Sequence, residues 1–318
     1  MIESLRPMSL GELLDRTFLL YRRNFLLFVG IATVGPAAYL VFQLILVGSP
    51  LILGSAAPAK TAPTNPVALA SFGASMLASM FVGMVIMLAG LAISQAATVK
   101  AVAAVHLGRT TTILGAYKAL RGRIFRVLAV FFSVMILVVV AAGGIIALAG
   151  IIASLAVVGG AQGGTAGAIA GGLVAVAAVV AGVILAVTIY VRYSLAVQAC
   201  VVEDLGPSAS LKRSAVLSKG ARSRVLAIYL IFTILSGIIG AVLGGVSVAA
   251  VFLIKNPILS LIATSLSSFI ASSLTGPLAT IGISLLYYDE RVRKEAFDLQ
   301  LMMATLDEPM TVAVPSQA

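Results

Sequence analysis

Charge, histidine and cysteine are all scarce in this sequence. Only 10% of its 318 residues are Asp, Glu, Lys or Arg, 61% are hydrophobic, and the mean hydropathy is +1.14. A soluble domain carries roughly 25% charged residues, and without them the chain could not cover its surface with water-compatible groups. The bilayer is therefore its expected solvent, and the same numbers exclude a disordered chain. Cys200 is the only cysteine, so no disulfide can form within the chain. His106 is the only histidine. Metal sites take three or four ligands, and a lone His almost 100 residues from a lone Cys supplies no such set. No phosphate-binding glycine loop of the G-x-x-x-x-G-K-[ST] type and no H-E-x-x-H pair occurs. Neither a metal nor an organic cofactor is expected.

The charges that are present are segregated. Residues 24–99 carry only Lys60, residues 127–191 carry none, and residues 225–288 carry only Lys255. About 20 apolar residues cross a bilayer core, so each block holds two crossings and a turn. The turns fall at the Pro-rich run from Ser49 to Pro66, the Gly-rich run from Val157 to Gly167, and Lys255 to Pro257. Six helices are predicted, over 25–48, 67–100, 126–156, 168–200, 225–253 and 258–287. All but two of the 21 basic residues, Lys60 and Lys255, lie in the terminal and interblock segments. That bias places both termini in the cytoplasm of a cell (inner) membrane protein and requires an even number of spans. Some 24 residues with four arginines precede the first span, unlike the short leader of a cleavable signal, so this span is expected to be retained.

A short basic stretch precedes each hairpin, and the second and third stretches align at an offset of 98. Leu107, Gly108, Gly122, Arg126, Val127, Leu128 and Ala129 recur as Leu205, Gly206, Gly220, Arg224, Val225, Leu226 and Ala227. A fainter pattern relates Ser9, Leu10 and Arg23 to Thr112, Ile113 and Arg126 and to Ser210, Leu211 and Arg224. The expected domain is a single membrane unit over 1–302, with repeats about 8–105, 106–203 and 204–302, and a disordered tail over 303–318. In the first stretch Ser9 and Glu12 have capping-box spacing. Leu10, Leu13, Leu14, Thr17, Phe18, Tyr21 and Phe25 then make one apolar face opposite Glu12, Asp15, Arg16, Arg22 and Arg23. The second stretch sets Ile113, Tyr117, Leu120 and Ile124 against Lys118, Arg121 and Arg123. Such helices lie in the membrane interface. The predicted fold is thus all-α integral membrane, six transmembrane helices as three hairpins, each preceded by a cytoplasmic interfacial amphipathic helix.

Candidate sites follow from this layout. Arg22, Arg23, Arg123, Arg126, Arg222 and Arg224 form a basic collar suited to anionic lipid or to a phosphorylated ligand, although topology alone also requires such charges. A pI near 10 does not imply nucleic-acid binding here, because the excess charge is a thin band along the membrane. Intramembrane charge, the usual mark of a transport pathway, is nearly absent, with Arg192 the deepest. Ser265, Ser268, Ser272 and Thr275 share a stripe just ahead of Gly276-Pro277, and Gly35-Pro36 interrupts the first span similarly. Together they would suit a polar path beside broken helices, or equally a helix contact. Glu203 and Asp204 read most simply as a solvated acidic pair ahead of the next helix. An intramembrane enzyme would need two of His106, Glu203, Asp204 and Asp289 to meet in one cavity.

Three stretches, SLGELLDRTFLLYRRNFLLFVG at the start, VVEDLGPSASLKRSAVLSKGARSRVL after the fourth span and LLYYDERVRKEAFDLQL near the end, resemble a known family. It is the prokaryotic six-span family named for the membrane domain of glycerophosphoryl diester phosphodiesterase. In fused members a separate soluble domain supplies the activity through metal-binding acids and histidines. The single histidine here departs from that pattern, so the resemblance implies the membrane part without the phosphodiesterase activity. The expected function is a non-enzymatic membrane module associating with phospholipid, anionic lipid included, or with an envelope protein partner. A small-solute transporter or channel is the alternative.

Overall fold

The computed structural model describes residues 7–52, 66–106, 108–159, 165–254 and 257–295. Lys60, Lys255, the middle of each predicted turn and the predicted tail over 303–318 lie outside the described residues. Those described form eleven helices and no strand: α1 (Leu10–Arg23), α2 (Phe25–Ala32), α3 (Val34–Ile52), α4 (Pro66–His106), α5 (Ile113–Lys118), α6 (Ile124–Gly159), α7 (Thr165–Tyr193), α8 (Ala196–Val202), α9 (Pro207–Leu217), α10 (Arg222–Ile254) and α11 (Pro257–Glu295). Six stretches are long and apolar enough to cross a membrane: Phe25–Leu46, Leu69–His106, Ile124–Ser154, Ile169–Val202, Arg222–Ala249 and Ile262–Glu295. The chain is a multi-pass helical membrane protein.

Helix α3 packs along α4, α6 along α7, and α10 along α11. Among the short helices, α1 rests on α11, α5 on α2 and α4, and α9 on α6, α7 and α8. Each therefore leans on the hairpin before it, and α1 closes the ring by leaning on the last. The core sits at the charged end, where Ala96, Ala97, Val99, Ala101 and Val102 of α4, Leu195 to Val201 around α8, and Ile281 to Tyr288 of α11 are buried with Leu13, Phe28, Val127 and Ile228. Toward the other end the hairpins expose Leu77, Phe81, Val139, Val140, Leu173, Val176, Val242 and Val246. In water that surface would drive association, but in a bilayer it meets lipid tails at no cost.

Helix α1 starts as its sequence dictates. The Ser9 hydroxyl accepts from the Glu12 amide at 3.2 Å while the Glu12 carboxylate accepts from the Ser9 amide at 2.7 Å. Thr112 caps α5 in the same manner at 3.0 Å. The third start differs from the aligned position. Gly206 is the cap and Pro207 the first helical residue of α9, because the fixed proline φ starts a helix readily. Ser210 is consequently inside the helix and buried, donating to the Gly206 carbonyl at 2.9 Å. Gly122 and Gly220, 98 residues apart, turn the chain into α6 and α10 with φ of 83° and 86°, a region that penalises any Cβ.

The helix interruptions are each satisfied by a side chain from a neighbour, as backbone away from water requires. Pro36 has no N–H for the Ala32 carbonyl, and α2 gives way to α3 at Thr33. The Ser94 hydroxyl lies 3.2 Å from the Ile31 carbonyl and 3.5 Å from that of Ala32, and the Tyr117 hydroxyl of α5 donates to Ile31 at 2.6 Å. Burial pushes the Tyr117 phenol up to about 12, against the opposing pull of its Ser94 hydrogen bond, so it remains a donor at neutral pH. Between α7 and α8 the freed Arg192 carbonyl accepts from Ser214 and Ser218, each at 3.0 Å, and the Leu195 amide donates to Ser214 at 3.1 Å. The expected break at Gly276-Pro277 is absent. Helix α11 runs unbroken through Pro277, and the Tyr21 hydroxyl donates to the Leu274 carbonyl at 2.7 Å in the turn before it.

The first hairpin holds a close approach at Gly90. A Cβ at Gly90 would overlap Ala38 of α3 and crowd the Val34 carbonyl, whereas at Gly73 on the same helix it would meet nothing within 4 Å. Gly90→Val is expected to destabilise by about 2 kcal/mol, in the range for overpacking, and Gly73→Val by much less. Thermal unfolding in detergent checks this, and equal shifts for both variants would refute the close approach.

Candidate functional site

The charged end is built from two ion-pair networks and an outer rim. In the first network Asp289, 1% exposed, accepts from Arg224 at 2.6 Å, Arg293 at 2.9 Å and the Met8 amide at 2.6 Å. Glu290 pairs with Arg224 at 2.9 Å and Lys294 at 3.0 Å. The Met8 carbonyl accepts in turn from Arg224 at 2.8 Å and Arg293 at 2.6 Å. Both backbone polar groups of one N-terminal residue, Met8, are therefore clamped by side chains of α10 and α11.

The second network centres on Glu203, which caps the C-terminus of α8. Arg213 of α9 approaches it with both Nε and Nη2, the latter at 2.9 Å, while the buried Tyr287 hydroxyl donates to the same carboxylate in a very short contact. Arg291 lies 3.5 Å away, and Arg213 also bonds Glu295 at 2.7 Å. The hydrogen bond to Glu295 is the main influence that pushes the Arg213 guanidinium pKa up, followed by Glu203, against the effect of burial. Asp204, next in sequence, faces elsewhere. Its φ of 57° turns it toward Arg123 and Arg126, at 3.1 and 2.9 Å. The acidic pair read as a solvated cluster is instead divided between two sets of arginines.

The six collar arginines meet three fates. Arg224 is spent inside the first network, its side chain only one-fifth exposed. Arg123 and Arg126 share Asp204. Arg22, Arg23 and Arg222 are exposed and make no hydrogen bond or ion pair among the described residues. Beside Arg22 and Arg23 the chain exposes Phe18, Leu19, Phe25 and Leu26, beside Arg123 it exposes Phe125, and beside Arg222 it exposes Leu226.

The hydroxyl stripe also divides. Ser265 donates to Gln43 at 3.0 Å, joining α11 to the first hairpin. Ser268, Ser272 and Thr275, with Ser236, Gly240 and Ser267, line a cavity of about 240 Å³ between α10 and α11. It lies within one hairpin and has no charged side chain in its lining. A second cavity of about 30 Å³, the size for a single water, is bordered by Gln95, Phe131, Tyr190, Tyr193 and Tyr229. His106 stacks near Tyr288, with ring centroids 5.2 Å apart, and Cys200 is buried. His106, Glu203, Asp204 and Asp289 line neither cavity, and no group of three or more potential metal ligands occurs among the described residues.

Sequence reasoning missed both networks. Asp289 with Arg293, Glu290 with Lys294, and Arg291 with Glu295 are ion pairs at i,i+4 spacing, a signal that marks the end of α11 as an organised charged helix. The partners on α9, α10 and the N-terminal segment carry no such local signal. Compared with known proteins, the chain matches no family model, no curated protein and no solved structure.

Proposed function

We propose that this protein is a non-enzymatic membrane module of the cell (inner) membrane, with both termini cytoplasmic, whose basic end associates with anionic phospholipid. In this reading three repeated hairpins are each led by an interfacial helix, and the family resemblance concerns the membrane part alone. One observation carries it: Arg22, Arg23 and Arg222 have no hydrogen-bond or ion-pair partner among the described residues and lie beside exposed Phe18, Leu19, Phe25, Leu26 and Leu226. Apolar side chains entering the acyl region beside cations at phosphate depth are the signature of an interfacial surface. An envelope protein that covers the same rim is the other partner this surface fits.

The test is native mass spectrometry of the protein released from nanodiscs holding phosphatidylglycerol and phosphatidylcholine. The wild type is expected to retain phosphatidylglycerol preferentially. The triple variant Arg22→Gln, Arg23→Gln, Arg222→Gln should lose most of that preference, since each basic residue near the surface contributes about 1 kcal/mol. Equal retention of the two lipids by the wild type would end this reading. The hydroxyl-lined cavity of α10 and α11 favours a second one, a small-solute transporter or channel. Its confinement to one hairpin supports the first reading over the second, and solute flux into proteoliposomes would reverse that order.

A further inference from the structure

Helices α10 and α11 meet closely at two levels and part between them. Nearer the charged end Phe232 of α10 fills the space beside Gly282 of α11, where an added Cβ would stand 3.0 Å from its ring. Toward the other end the hydroxyls of Ser247 and Ser267 bond each other at 2.5 Å, and the pair closes again. Between these contacts lies the cavity of about 240 Å³. Gly240 and Gly244 in its lining fit no neighbour, since a Cβ at either would meet nothing within 4 Å. Alanine would make a more stable helix at both positions, so packing within the chain does not account for them.

The lining hydroxyls are of two kinds. Thr275 donates to the Ala271 carbonyl at 2.9 Å, and Ser267 is held by Ser247. Ser236, Ser268 and Ser272 make no hydrogen bond with any described residue. A helical serine in a bilayer ordinarily donates to a carbonyl one turn back, as Ser133 and Ser284 do here, each at 2.6 Å. Three serines that face one cavity without that bond hold donors and acceptors that lipid tails leave unmet.

We propose that this cavity binds a small neutral polyol, hydrogen-bonded by Ser236, Ser268 and Ser272. Its volume equals that of about eight waters in the liquid. No lining side chain is charged, so an ion would lose its hydration with no counter-charge to replace it. A hydrocarbon would leave the three hydroxyls unmet. A serine hydroxyl both donates and accepts, and adjacent alcohol groups answer several such hydroxyls at once. The polyol has two sources, a lipid headgroup entering past the exposed Ser268 and Ser272 or a free solute. Ser236 lies about 21 Å along α10 from Arg222, so the site is independent of the lipid reading of the basic end.

Thiol labelling in nanodiscs tests the site, because the one native cysteine, Cys200, is buried and the wild type supplies the background. Ser272→Cys puts a thiol in the cavity, and Val242→Cys puts one on the exposed face of α10 at the level of the two glycines. A thiol must ionise to attack a methanethiosulfonate, which lipid tails prevent. The neutral hydroxyethyl reagent is therefore expected to label Ser272→Cys about tenfold faster than Val242→Cys. Ser268→Cys should behave as Ser272→Cys does. Erythritol, the probe polyol, should slow labelling of Ser272→Cys about threefold, and the same concentration of zwitterionic betaine should not. Adding Gly240→Val fills part of the cavity and should abolish the erythritol effect without lowering the thermal unfolding temperature in detergent. Nanodiscs with and without phosphatidylglycerol, whose headgroup is a polyol, separate the sources. Slower labelling in its presence assigns a lipid-borne ligand, and an unchanged rate with erythritol protection assigns a free one.

Equal labelling of the cavity thiols and Val242→Cys would overturn the site, as a cavity closed to polar solutes. Fast labelling that erythritol slows no more than betaine does would overturn it too, leaving a cavity that holds water only. Protection that survives Gly240→Val would place the polyol elsewhere.

Discussion

Asp289→Ala is expected to destabilise the protein by about 4 kcal/mol, within the range for breaking a buried ion pair from one side. Asp289 is the meeting point of Arg224, Arg293 and the Met8 amide. Alanine would leave Arg224 with Glu290 as its one carboxylate beside the Met8 carbonyl, and would leave the buried Met8 N–H without this acceptor. The effect should spread to α1, which packs on α11 and is tied to it by the Tyr21 hydroxyl. Once the Met8 unit is released, trypsin should cut at Arg16 or Arg22 faster than in the wild type. Asp289→Asn keeps the shape and some of the acceptors while removing the charge, so it should cost roughly half as much. Thermal unfolding in detergent and the rate of tryptic cleavage are the measurements. An Asp289→Ala protein that unfolds at the wild-type temperature would show that the network is an ornament of an already stable bundle.

Particular elements show why some of this was legible in the sequence. The six spans follow from charge segregation, because a long apolar helix has one stable solvent and the signal is cumulative over 20 residues. The capping box of α1 is equally local. The start of α9 departs from the repeat pattern that aligns Ser210 with Thr112, because Pro207 begins the helix earlier. The contact of the Tyr21 phenol with the turn of α11 before Pro277 comes from far away in the chain, and no local pattern reports it.

Arg222 and Arg224 show a subtler limit. Residues two positions apart on a helix are separated by about 200°, so one of the pair faces inward when the other faces out. Periodicity alone therefore separates them, but it does not say which is which. That is decided by Asp289, 65 residues further along the chain. Charges at a span's end read as topology until the fold brings their counter-charges into view, and only the remainder is available to a ligand.

Glu203→Ala is the second large effect expected, at about 3 kcal/mol. Its carboxylate receives the Arg213 fork from α9 and the Tyr287 hydroxyl from α11, so it ties the end of the second hairpin to the third. Without it Arg213 keeps Glu295, which moderates the loss on that side. Tyr287 has no such reserve, since its side chain is fully buried and its hydroxyl would lose the acceptor. A double-mutant cycle separates the two contributions. Tyr287→Phe should cost about 1.5 kcal/mol in the wild type and almost nothing beside Glu203→Ala, because the hydroxyl then has no partner left to lose. The two networks share no side chain, so Glu203→Ala and Asp289→Asn should combine almost additively, apart from whatever the end of α11 transmits between them. A cycle in which Tyr287→Phe costs the same with and without Glu203 would remove this hydrogen bond from the account of stability and leave the Arg213 pairing to carry it.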